Sequence, residues 1–258
     1  MRVLLSIIYG LAAYLAFSAT LLWFIAFGGN LLVPKSVDVG SAAAPWPEAL
    51  AVDILLLLLF GVQHSVMARR GFKQWWTRVV PEVVERSTYV VASSVVLAAV
   101  MALWMPIAAP VAWRVNGAAA ALLWTLFGLG WVVVALSTFL LDHFELFGLR
   151  QVFAALGRRP APPMELRTPL LYRHVRHPLY LGFLITFWAV PVMTAGHLVF
   201  SLGMSAYILV GIAFEERDLV RAFGERYLAY RRQVGMLVPR LGANARARGR
   251  DASGNGLG

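Results

Sequence analysis

The chain has 258 residues, of which 60% are hydrophobic and only 14% charged, and its mean hydropathy is +0.70. A soluble domain carries about 25% charged residues, so a water-soluble globule is excluded. The net charge of +10 does not point to nucleic acid, because the basic residues alternate with apolar runs instead of forming one patch. The absence of cysteine excludes disulfides, thiolate metal sites and a covalent cysteine intermediate.

A helix needs roughly 20 apolar residues to cross the bilayer core. Residues 3–27 carry no charge and predict a first span. This run is far longer than the apolar core of a signal peptide, about 7–15 residues, so a retained helix is expected. Residues 49–68, with Asp53 as the one acid, predict a second span; 89–109 and 117–141 predict a third and a fourth. The last run, 179–214, is too long for one crossing. Pro191 and the Thr194-Ala195-Gly196-His197 stretch interrupt it, so a tight hairpin of roughly 179–193 and 197–214 is expected. The fold class is therefore an all-α polytopic bundle of six spans, or five if the hairpin stops short.

Six crossings place all but Lys35 and Arg114 of the 23 basic residues on one face, the cytoplasmic one by the positive-inside rule. Anionic lipid is the expected counter-surface. Beyond the hairpin, Leu219, Phe223, Tyr227 and Tyr230 recur at helical spacing, so a cytoplasmic amphipathic helix is expected to continue from Glu215 to Tyr230. Residues 1–240 read as one membrane domain, with 117–240 as its catalytic and cofactor-binding part. Residues 241–258, rich in Arg, Ala, Ser and Gly, read as a disordered tail.

Four polar constellations stand out. Tyr172-Arg173-His174-Val175-Arg176-His177-Pro178-Leu179-Tyr180-Leu181-Gly182 sits where a loop enters the membrane. Pro178 suits a first helical position, leaving free backbone donors and the positive end of the dipole facing the loop. The segment is either a site for a small polar group or an interfacial anchor. Glu215-Glu216-Arg217-Asp218 returns to the same face through the hairpin. Those acids either pair with the basic loop or bind an amine, a ribose diol or a sulfonium. Gln63-His64-Ser65 ends the second span: His64 is either a packed residue or a functional intramembrane group. Asp142-His143-Phe144-Glu145 has the residue types of a metal site, but adjacent helical positions point about 100° apart, and no metal is expected.

Arg176-His177-Pro178-x-Tyr180-x-Gly182, an apolar hairpin, Glu215-Glu216, then Phe223-Gly224-x-x-Tyr227-x-x-Tyr230 and Pro239 resemble the superfamily of isoprenylcysteine carboxyl methyltransferase and the phospholipid N-methyltransferases. Gln63-His64-Ser65-Val66-Met67-Ala68-Arg69, Phe72-Lys73-x-Trp75-Trp76, Glu85-Arg86-Ser87-Thr88-Tyr89, Asp142 to Leu149 and Glu215-Glu216-Arg217-Asp218-Leu219 resemble, more narrowly, the bacterial methanethiol S-methyltransferases. The resemblance implies an inner-membrane enzyme that methylates a small volatile thiol, with termini and site cytoplasmic. It implies S-adenosylmethionine held by Leu166, Arg167, Tyr172, Arg176, His177, Pro178, Tyr180, Gly182, Glu215 and Glu216. His64, His174 and the Glu215/Glu216 pair, of which Glu216 is the one singled out, are the candidate proton acceptors for the thiol. No protein partner is evident. The prenylcysteine enzymes carry an arginine just before the acidic pair. Here Val210-Gly211-Ile212-Ala213-Phe214 has none, which argues against a bulky carboxylate substrate. Two readings stay open beside this one: a sister enzyme with a larger lipid or prenyl acceptor, and a non-catalytic small transporter.

Overall fold

A computed structural model of the chain describes residues 2–40, 44–157 and 166–240. The tail 241–258 and Glu165, near the expected cofactor stretch, lie outside these residues. Five helices are long and apolar enough to cross a membrane: α1 (Arg2–Gly29), α2 (Trp46–Met67), α4 (Glu82–Leu103), α5 (Gly117–Leu141) and α9 (Ala195–Phe223). Short helices α3 (Arg70–Trp76), α6 (His143–Leu146), α7 (Leu149–Gly157) and α10 (Glu225–Gln233) lie between or after them, and α8 (Pro178–Trp188) precedes α9. The chain is a multi-pass membrane protein. Leu4, Leu15, Leu22 and Leu55 are more than half exposed, as side chains facing lipid must be.

Prolines open several helices where a missing N–H costs no bond. Pro47 sits in the first turn of α2, Pro81 immediately precedes α4, and Pro178 begins α8. The third span starts seven residues earlier than the hydropathy suggests, because Glu82, Glu85 and Arg86 join α4 as its first turns.

The expected hairpin is present, with a shorter first arm. The α8 helix stops at Trp188, ahead of Pro191; the chain then turns at Ala189, where Val190 N–H donates to Trp188 O at 3.1 Å, and passes to β2 (Val192–Thr194), which pairs antiparallel with β1 (Val111–Arg114). The eleven helical residues cover about 16 Å, and the irregular residues beyond them join the arm to the β1–β2 pair. Its non-helical carbonyls find donors, as backbone inside a membrane protein must. Ser201 Oγ donates to Phe187 O at 2.6 Å, Trp113 Nε1 to Val190 O at 2.9 Å and Val115 N to Pro191 O at 2.9 Å.

The arm is held against α5, its most extensive partner. A Cβ on Gly182 would lie 2.7 Å from Gly130 O and 2.9 Å from Val134 N, so the two helices meet backbone to backbone. In lipid, where no hydrophobic force drives helices together, such close approach supplies the packing energy. An aromatic core of Phe24, Phe27, Trp104, Phe187 and Phe200 fills the opposite half, mostly edge to face.

Two ends result. Residues 30–40, β1 and β2 lie at one; α3, α6, α7, α10 and residues 166–177 at the other. The first end is closed by polar bonds. His197 Nδ1 lies 2.9 Å from Asp38 Oδ2, Asn30 Nδ2 donates to the same oxygen at 2.5 Å, and Thr194 Oγ1 donates to Asp38 Oδ1. Burial pushes the Asp38 carboxyl up, but His197, Thr194 and Asn30 outweigh it and hold it below the usual value.

Candidate functional site

The second end is built around a crossing of three chain segments. A 3₁₀ turn, Leu170–Arg173, leads into an extended stretch where Val175 bridges Gly235. The backbone N–H of Arg176 donates to Gly235 O at 2.8 Å, and that of His177 to Met236 O at 3.2 Å. The segment after α10 is thereby stitched to the entrance of α8. Gly224, at φ +54°, makes this possible: it breaks the continuous helix expected over 215–230 and turns α10 back toward residues 175–177.

Glu216 lies at the centre of the crossing, buried. Its Oε1 accepts from Arg176 Nε at 2.7 Å and lies 2.7 Å from Arg176 Nη2 and 3.2 Å from His177 Nε2. Its Oε2 faces Arg231 Nε at 3.3 Å. Arg176 Nη1 donates to the carbonyls of Arg231 and Val234, at 3.2 and 2.6 Å. Every nitrogen of that guanidinium is engaged, and so are both oxygens of Glu216. A buried ion pair is tolerable only when its spare donors and acceptors are filled in this way.

Glu215 is different. One helical position away, its side chain remains 43% exposed. Its carboxylate lies beside the Tyr180 phenol, and Tyr172 and Tyr227 lie close enough to feel its charge. Burial pushes the phenols of Tyr172 and Tyr227 up, with the neighbouring acids adding to the shift, so both stay protonated donors. Tyr227 Oη is buried without a hydrogen-bond partner among the described residues. Tyr230, pushed up to about 12 chiefly by burial, donates to Tyr172 O at 2.5 Å. His177 is the N-cap of α8, yet its side chain makes no capping bond. The first N–H groups of α8 thus have no side-chain acceptor from the N-cap, and this helix start, Glu215 and the phenols of Tyr172, Tyr180 and Tyr227 make up one polar cluster, the cup.

A second polar group adjoins the cup from α2, α4 and α9. His64 Nε2 lies 2.7 Å from the Tyr89 hydroxyl, and Nδ1 3.1 Å from Ser93 Oγ. Tyr207 stacks edge-on to His64, and the phenols of Tyr89 and Tyr207 act on that of Tyr180. Sequence reasoning missed Tyr89, Ser93, Tyr207 and Arg231. Tyr207 carried little signal, since it stands eight residues before Glu215 on α9 and so about 80° around the helix from it.

The remaining expected residues fall as follows. His174 is exposed, with Nδ1 3.2 Å from Leu170 O, away from the convergence. Leu166 and Arg167 lie in an irregular stretch ahead of the 3₁₀ turn, with Arg167 exposed. Pro178 and Gly182 are buried in α8, and Gly182 backs onto α5. The Asp142-His143-x-Glu145 motif is used by the fold. Asp142 caps α6 and, with Glu145, holds Arg150; His143 bridges Tyr14 and Thr138, its ring stacked on Phe139. Among the described residues no group of three His, Asp or Glu is placed to hold a metal ion.

A helical membrane bundle with a partly exposed carboxylate, buried phenols and the start of a short helix gathered at one end is the class that the fold defines. Across 240 residues the chain is 51% identical to methanethiol S-methyltransferase 2 of Bradyrhizobium diazoefficiens, covering 93% of this chain and 92% of that one. It is 56% identical over 219 residues to the methanethiol S-methyltransferase of Pseudomonas deceptionensis, covering 84% and 82%. That of Mycobacterium tuberculosis is 51% identical over 240 residues, covering 93% and 98%. Pig nurim is more distant, 32% identical over 182 residues. No family model and no solved structure matches the chain. The chain belongs to the methanethiol S-methyltransferase family.

Proposed function

We propose that the protein transfers a methyl group from S-adenosylmethionine to methanethiol, giving dimethyl sulfide and S-adenosylhomocysteine. The observation that carries this reading is the relation to methanethiol S-methyltransferases at about half identity over nearly the whole of both chains. The cup supports it independently. A half-exposed carboxylate beside the Tyr180 phenol, with the Tyr172 and Tyr227 rings close by, suits a sulfonium or ammonium cation, and the N-terminal N–H groups of α8 suit a carboxylate. S-adenosylmethionine carries all three groups. Glu215, Tyr180, Tyr172, Tyr227 and the first turn of α8 would hold it, and bound there it supplies a methyl already activated on sulfur. Arg176, Glu216 and His177 fix the position of these contacts from behind.

The chain's own residues then have three tasks. They align the thiol in line with the methyl, which substitutes for lost translational freedom. They exclude water, which favours a step that neutralises thiolate and sulfonium together; Phe183 and Phe187, stacked at 5.9 Å on the inner wall of α8, close that side. They also take the thiol proton. His64, reached through the Tyr89 hydroxyl, is the acceptor we assign, since Glu216 has both oxygens engaged, His174 is exposed and bonded to Leu170 O, and Glu215 is given to the donor's cation. The sulfur–carbon bond to methanethiol would form as the one to the sulfonium breaks, and the thiol proton, held on His64 during transfer, would leave to bulk solvent with product release.

We place the cup on the cytoplasmic side of the bacterial inner membrane, because nearly all basic residues lie at that end. Headspace analysis of purified protein given both substrates tests the activity. Dimethyl sulfide from methanethiol, with no comparable product from an aryl or prenyl thiol, is expected. Preference for the larger thiol would replace this reading with that of a lipid-directed sister enzyme.

A further inference from the structure

Beside the cup, on the other flank of α9, a cleft of about 300 Å³ opens between that helix and the α2–α3 junction. It is lined by Arg69, Arg70, Gly71, Phe214, Arg217, Asp218 and Arg221, four guanidiniums against one carboxylate. From α9 it takes positions 214, 217, 218 and 221, one face at three- and four-residue spacing.

Three of the four arginines are braced by contacts within the cleft, and Arg70 stands exposed at its rim. The Phe214 ring carries two of them, with Arg69 Cζ 4.9 Å and Arg217 Cζ 5.9 Å from its centroid. Asp218 ties Arg69 at 3.3 Å to one oxygen and Arg221 at 3.5 Å to the other. Arg69 Nε also donates to Ser65 O at 3.2 Å. These contacts use single edges of each fork, so the cleft keeps guanidinium donors in fixed places. Like charges gathered around one acid repel unless a counter-anion joins them, and planar forks match the oxygens of a phosphate.

The depth of the cleft decides the source of that phosphate. The neighbouring α3 presents Phe72, Trp75 and Trp76 in mutual contact, with Trp75 52% exposed. Indoles of this kind sit at the headgroup level of a bilayer. Phe214 is itself partly exposed on a spanning helix and offers an apolar floor for an acyl chain.

We infer that this cleft is a specific site for the phosphate headgroup of an anionic phospholipid. Occupied, it would clamp the end of α2, and with it the turn that carries His64, against α9. The inference does not depend on the methyl-transfer reading.

The test is native mass spectrometry of the full-length protein extracted from nanodiscs of phosphatidylcholine with and without phosphatidylglycerol. The wild type should retain phosphatidylglycerol in preference to phosphatidylcholine. Arg70→Gln with Arg217→Gln should reduce that retention by about five-fold for each arginine removed, while the matched pair Arg226→Gln with Arg232→Gln, on exposed α10, should leave it unchanged. Equal losses in the two pairs, or no preference in the wild type, would overturn the site in favour of diffuse surface charge. Displacement of the lipid by inorganic phosphate would overturn the lipid in favour of a soluble anion. Should the double variant fail to fold, Arg217→Gln alone, at an exposed position, decides the question in the same way.

Discussion

The adjacent acids Glu215 and Glu216 have different surroundings and so different expected losses. Glu216 is buried with both oxygens engaged. Its change to Ala leaves Arg176 buried and unpaired, which costs about 3–5 kcal/mol. Thermal unfolding in detergent should show a large drop in midpoint. Glu215 is half exposed, and Glu215→Gln should leave the midpoint nearly unchanged. Its affinity for S-adenosylmethionine, measured by calorimetry, should fall at least tenfold, about 1.4 kcal/mol. Stability loss in Glu215→Gln with affinity retained would reverse the assignment. The convergence of Arg176, His177, Tyr180 and the acid pair was legible in the sequence, because a hairpin must return residue 215 to the level of residue 178. Which acid faces inward was not, since it depends on the rotation of α9 about its axis. Tyr89 and Ser93 reach His64 from α4, a long-range contact that no local pattern encodes.

At the scale of elements, α8 is placed by α5 at one face and by the polar end-cluster beyond it. Gly182→Leu puts side-chain atoms where Gly130 and Val134 already stand. Overpacking of this kind costs about 1–3 kcal/mol, and the thermal midpoint should fall while Gly211→Ala, where a Cβ meets nothing within 4 Å, changes little. The Asp38 cluster makes a pH-dependent contribution. Its carboxyl is held below the usual value in the fold, so the stabilisation is full above the ordinary carboxylate range and disappears as pH falls through the depressed value. Asp38→Asn should therefore lower the midpoint at neutral pH, and the gap to wild type should close under strong acid. A gap that persists there would show that the cluster acts through shape alone. The hairpin was readable from Pro191, and the β pairing that completes its first arm was not. Four strand residues between two spans carry too little pattern to separate from a loop, and their partner lies some 80 positions away.

The whole molecule is polarised: one end is closed by neutral and paired groups, the other carries the cup, the arginine cleft and nearly all the basic charge. Alternation of apolar runs and arginines revealed this from sequence, because the bilayer constrains spans and loops so strongly. The absence of cysteine makes orientation easy to measure. Val39→Cys, at the closed end, should react with a membrane-impermeant maleimide in intact cells, and Arg226→Cys, on α10, only after lysis. The reverse pattern would invert the protein in its membrane. Methyl transfer at the Glu215 cup is tested by following an isotopically labelled methyl from S-adenosylmethionine in a single turnover with methanethiol. The label should appear in dimethyl sulfide, one for each S-adenosylhomocysteine formed, with at least a tenfold loss of yield in Glu215→Gln at subsaturating donor. Donor bound but no labelled dimethyl sulfide formed by the wild type would contradict the activity, and full turnover by Glu215→Gln under the same conditions would contradict the site.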